Sequence, residues 1–91
     1  MPPVEWSLAA RADLIRIVDY VSDHSLPAAE ALRDALRAKI DRLPERPRAY
    51  RKGRVAGTRE MVVGRHYVVV YRETPQAIRI LRVLHTSRRW P

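Results

Sequence analysis

The sequence predicts an α+β fold: an N-terminal strand, then an antiparallel helical hairpin packed on a small antiparallel sheet completed by a C-terminal three-strand meander. Three observations predict it. Apolar residues recur every three or four positions in two stretches between residues 8 and 43, the period of helices with one buried face. Three runs rich in β-branched and aromatic residues follow between residues 58 and 84, divided by turns that carry Gly or Pro. Helices first and strands afterwards is the order of α+β domains rather than of alternating parallel ones. At 91 residues the chain suits one domain spanning 1–91.

Pro3-Val4-Glu5-Trp6 is short and alternating, as a small strand is. Ser7 then suits a helix N-cap, whose hydroxyl accepts from a free first-turn N–H. From Leu8 to about Val21 the residues Ala10, Leu14, Ile17, Val18 and Val21 share one face, with Arg11, Arg16, Asp19 and Asp23 elsewhere. Asp23-His24-Ser25 breaks the run, and Pro27 marks the first turn of a second helix. That helix is expected from Pro27 to about Leu43, with Ala29, Leu32, Leu36, Ile40 and Leu43 as its stripe and Pro44 and Pro47 as its stop.

Residues 44–57 are polar and basic and read as a long loop. Thr58–Val63 alternates as a strand, Gly64-Arg65 fits a two-residue hairpin turn, and His66–Arg72 is the strongest strand signal of the chain. Thr74-Pro75-Gln76 turns again before the last strand, Ile78–Leu84, and the tail His85–Pro91. Tyr67, Val69 and Tyr71 fall on one face of the strong strand and Val68 and Val70 on the other. The all-apolar pair Val68 and Val70 is expected to meet the helices, leaving Tyr67 and Tyr71 on the open face.

Charge is unevenly spread. Of 18 Lys and Arg against 10 Asp and Glu, residues 1–43 hold 6 basic and 7 acidic, while residues 44–91 hold 12 basic and 3 acidic. Nearly all the cations are Arg, whose planar fork binds two oxygens of a phosphate or carboxylate at once. A basic C-terminal half implies a polyanionic partner, and a nucleic acid or an acidic protein fits equally. Cys is absent, which excludes disulfides and thiolate metal sites, and no two His are spaced as metal ligands on one element. Neither a metal nor a cofactor is expected. The chain opens without a basic and then apolar leader and has no apolar run long enough to span a bilayer, so a cytoplasmic location without membrane contact is expected.

The order and spacing of several blocks resemble the RelE/ParE toxins. They are Trp6, Ala10, Asp13-Leu14, Ile17 and Tyr20-Val21; Leu43 before Pro47; Gly57–Val63; Tyr67–Arg72; Ile78–His85; and Arg88, Arg89 and Trp90. The resemblance runs nearly the whole length and lies closer to the ParE-like members. It implies a helical hairpin on a small antiparallel sheet, and growth arrest relieved by a cognate antitoxin whose toxin-binding segment is often acidic.

It also implies one of two targets. ParE-like members inhibit DNA gyrase by binding, while RelE-like members cut messenger RNA on the ribosome. The RelE-like nucleases carry an Arg just before a Leu-Val-Tyr triplet; the triplet aligns with Val69-Val70-Tyr71, and Val68 stands where that Arg is expected. Gyrase inhibition without chemistry is therefore the first expectation. Endonuclease activity is the second, with His85 as the candidate catalytic side chain and Arg54, Arg59 and Arg88 holding the phosphate. A plain nucleic-acid-binding module is the third. The expected partner-binding set is Lys52, Arg54, Arg59, Tyr67, Tyr71, Arg82, His85, Arg88, Arg89 and Trp90.

Overall fold

The structure is a computed structural model that describes residues 2–91. Its elements are β1 (Val4–Trp6), α1 (Leu8–Ser22), α2 (Leu26–Asp41), β2 (Arg51–Lys52), β3 (Arg59–Val63), β4 (Tyr67–Glu73) and β5 (Ile78–His85). Both helices start where side-chain chemistry allows. Ser7 Oγ accepts from the Ala10 N–H at 3.0 Å and Ser25 Oγ from the Ala28 N–H at 3.2 Å. Such caps contribute about 1 kcal/mol each. Pro27 sits in the first turn of α2, where its missing N–H leaves nothing unpaired. α2 ends at Asp41, earlier than the stripe suggests, and Leu43 opens a separate 3-10 turn, Leu43–Glu45, while remaining buried.

The sheet has five strands in the order β1-β5-β4-β3-β2. The meander β3-β4-β5 is antiparallel as expected. Three features depart from the expectation. β1 joins β5 in parallel, so the sheet is mixed. The long loop also contains a two-residue strand, β2, which pairs Arg51 with Glu60 and Lys52 with Arg59. The β3–β4 connection has three residues rather than two, since Val63 pairs with Tyr67, and Gly64 takes the left-handed φ of 62° there.

The main core lies between the helices and one sheet face. Ala10, Leu36, Ile40 and Leu43 meet Met61, Val63, Val69, Tyr71, Ile80 and Val83, with Trp6, Leu14 and Tyr67 packed around them. This corrects the expected orientation of β4. Tyr67, Val69 and Tyr71 face the helices, and Val68 and Val70 face the other way. Tyr71 is fully buried because its hydroxyl donates to the Pro47 carbonyl at 2.6 Å, which removes the need for water. No helix among the described residues is long and apolar enough to cross a membrane.

Candidate partner-binding face

The sheet face turned away from the helices carries a second, smaller apolar cluster. Val68, Val70 and Leu84 are buried in it, and Leu81 and Trp90 pack against them. β4 is thus covered on both faces, which accounts for its unbroken apolar run. The tail reaches this face through a turn after β5. The Arg88 N–H donates to the His85 carbonyl at 2.9 Å, and the Ser87 N–H to His85 Nδ1 at 3.1 Å. A groove of about 100 Å³ runs over the cluster; Val68, Val70 and Leu84 form its floor, and Arg51, Arg54, Arg88 and Trp90 stand along its rim. Glu60 lies in the rim as well, 3.0 Å from Arg51, leaving Arg54 and Arg88 as the unneutralised charges. An apolar floor with an Arg and Trp rim is the composition of a binding surface.

A bulge in β5 fixes the strand behind this groove. Val70 pairs with Arg82 and Tyr71 with Ile80, so Leu81 is an extra residue opposite β4. The Leu81 carbonyl accepts from Ser7 Oγ at 2.9 Å, and Ser7 is the N-cap of α1. Arg82 then reaches Asp13 of α1 with both arms of its fork, at 2.7 and 2.9 Å. Asp13 also accepts from the Val83 N–H at 2.9 Å and lies 3.7 Å from Arg16. Burial pushes the Asp13 carboxyl up, but these hydrogen bonds and the charges of Arg82 and Arg16 outweigh it and hold the carboxyl below its usual range. Its hydrogen bond to Asp13 raises Arg82 further, against the cost of burial.

The expected site residues fall into separate places. Arg54, Arg88 and Trp90 share the groove. His85 pairs across the strands with Tyr67 and lies edge-on to its ring, centroids 5.6 Å apart, which sets His85 on the helix side of the sheet. Its ring also stacks on His66 at 5.5 Å, and Nδ1 is 2.8 Å from Ser87 Oγ. Arg59 lies on the helix side too, at the other end of β4, where it donates to the Tyr50 carbonyl at 2.8 Å. Arg59 and His85 flank β4 from opposite sides and are offset by four residues along it, roughly 13 Å along the strands and about 10 Å across them. Lys52 borders Arg59, and Arg89 is exposed on the tail.

Two expected contact residues are not available to a partner. Arg82 is engaged by Asp13, and Tyr71 is buried, with burial pushing its hydroxyl up to about 12 despite the opposing charge of Arg59. The structure therefore does not bring His85, Arg54, Arg59 and Arg88 together. Reading the sequence missed Arg51, Glu60 and the apolar floor, and it missed Asp13 as an anchor. A signal for Asp13 was present: it stands three residues after Ala10 on the buried side of α1.

The model of the ParE toxin of type II toxin–antitoxin systems, parDE, matches residues 4–90. Toxin RelE2 of Caulobacter vibrioides is 36% identical over 90 residues, covering 97% of this chain and 99% of that protein. A chain of the chromosomal ParDE TA system from P. aeruginosa superposes with a TM-score of 0.83 at 26% identity, over 93% of this chain and 96% of that one. The E. coli DinJ–YafQ complex contains a chain with the same fold, at a TM-score of 0.63 and 14% identity over 96% of both chains. Matched along nearly its whole length in sequence and in fold, the chain belongs to the ParE toxin family of type II toxin–antitoxin systems.

Proposed function

We propose that this toxin arrests growth by binding DNA gyrase through the open sheet face, without cutting RNA, and that a cognate antitoxin neutralises it. The observation that carries this reading is the separation of the groups that RNA cleavage needs. A 2′-hydroxyl attack on a phosphodiester requires a base, an acid and a phosphate clamp around one phosphate. His85 lies on the helix side of the sheet, beside Tyr67, whereas Arg54 and Arg88 rim the groove on the other face. Val68, in the place of the nucleases' Arg, is part of the apolar floor. The same face supports a binding role: the exposed Arg54 and Arg88 flank the half-buried Trp90 and can meet an acidic surface. An antitoxin with an acidic segment suits those Arg residues as well.

Induced expression tests the reading through labelled thymidine, uridine and methionine incorporation in the first minutes. Gyrase inhibition predicts early loss of thymidine incorporation, an SOS response, and loss of supercoiling by purified gyrase on addition of the protein. Early loss of methionine incorporation with cleaved messages overturns it in favour of the endonuclease. Unimpaired growth at verified expression overturns both.

A further inference from the structure

Helix α1 carries a second apolar stripe that the fold leaves uncovered. Leu8 is 86% exposed and Ile15 70%, and Leu26 at the start of α2 is 60% exposed. Depressions of about 250 and 380 Å³ meet at Leu14 and Ile15, and the second reaches Val18 and Leu26, so Leu14, Ile15, Val18 and Leu26 form one patch, outside which Leu8 lies. Arg11 borders the first depression and Asp19 the second. Neither has an ion-pair partner among the described residues. Arg11 lies four residues before Ile15 and Asp19 four after it, so the three form a single i±4 ridge. A uniformly acidic segment laid on this ridge would meet Asp19, and a uniformly basic one would meet Arg11. A copy of the ridge itself, run antiparallel, satisfies both.

We propose that α1 is a self-association face on which a second copy of this chain packs α1 antiparallel to α1 about a two-fold axis at Ile15. Two i±4 ridges lie side by side when helices cross at about −50°. Arg11 of each copy then stands beside Asp19 of the other, and the contact is isologous. Arg37, at the Arg11 end, adds a second cation toward the incoming Asp19; Arg33, at the other end, is already 3.5 Å from Asp34. Helices crossing at that angle touch over the turns about Ile15, so the contact stays under about 1,200 Å² across both copies. That is the low end of specific interfaces, so the dimer is weak and concentration-dependent.

Sedimentation velocity on the purified full-length chain, from low to high micromolar concentration, tests the proposal. The wild type should show a monomer–dimer equilibrium and Ile15→Glu a monomer throughout. Arg11→Asp and Asp19→Arg should each weaken association about tenfold or more, since each sets two like-charge contacts at the two-fold. The double variant Arg11→Asp/Asp19→Arg should return to within about threefold of wild type. All three side chains are exposed, and unchanged melting curves verify that the variants fold. A monomeric wild type at every concentration, a dimer indifferent to Ile15→Glu, or a double variant as weak as the single ones overturns the proposal. A monomeric wild type whose Ile15→Glu variant loses its antitoxin also overturns it and assigns the face to that partner.

Discussion

Replacing Asp13 by Ala removes the carboxylate that joins α1 to the bulged part of β5. That carboxylate is 3% exposed and accepts three hydrogen bonds, two from Arg82 and one from the Val83 N–H. Its loss leaves a guanidinium without its counterion and a buried N–H without an acceptor. Breaking a buried ion pair from one side costs ~3–5 kcal/mol. Arg82 is 29% exposed, so water recovers part of this, and about 3 kcal/mol is expected. A chain of this length has a total stability of roughly 5–14 kcal/mol, and the loss should lower Tm by roughly 12–20 °C.

Urea unfolding followed by tryptophan fluorescence measures the effect. Arg82→Met should cost a similar amount because it strands the buried carboxylate. The pair Asp13→Leu/Arg82→Met should cost about 2 kcal/mol less than the sum of the single changes, since neither charge is then left alone. The pH dependence has a fixed sign. A carboxyl held below its unfolded value contributes stability above that value and loses it as pH falls through the folded one. The gap between wild type and Asp13→Asn should therefore be full at neutral pH and close in acid. Single variants that each cost under about 1 kcal/mol, or a strictly additive double, would refute the reasoning.

Three further outcomes are expected. His85→Ala should keep growth arrest at wild-type expression, because the ring meets Tyr67 and Ser87 rather than the Arg-rimmed groove; loss of arrest in a folded variant speaks for catalysis. Arg54→Glu/Arg88→Glu should abolish the proposed inhibition of gyrase while moving Tm by only a few degrees, both side chains being exposed; unchanged inhibition would remove the groove from the binding surface. Gly53→Ala should cost about 1–3 kcal/mol in a thermal melt, since its methyl runs into the Oγ1 of buried Thr58, which is tied to the Val55 carbonyl; an unchanged melt would mean that the loop yields freely.

Local chemistry in the sequence determined the element list. Ser7, Ser25 and Pro27 mark helix starts by what their own atoms do within one turn, and the apolar stripe of α2 is carried by residues three and four apart. The β-branched run of β4 and the positive-φ Gly64 are local in the same sense. Family membership was legible too, because it rests on the order of such blocks along the chain.

Only the tertiary structure decided which face of β4 meets the helices. Alternation sorts side chains into two sets but does not say which set has the larger surface to cover. Tyr71 went inward because a carbonyl 24 residues earlier was there to accept its hydroxyl. The parallel addition of β1, the reach of Trp90 onto Val68 and Val70, and the clasp of Arg82 on Asp13 across 69 residues have the same origin. Each partner reads alone as an ordinary strand, tail or surface charge. Its role comes from a residue distant in sequence that the completed sheet brings within reach, and no local period encodes that pairing.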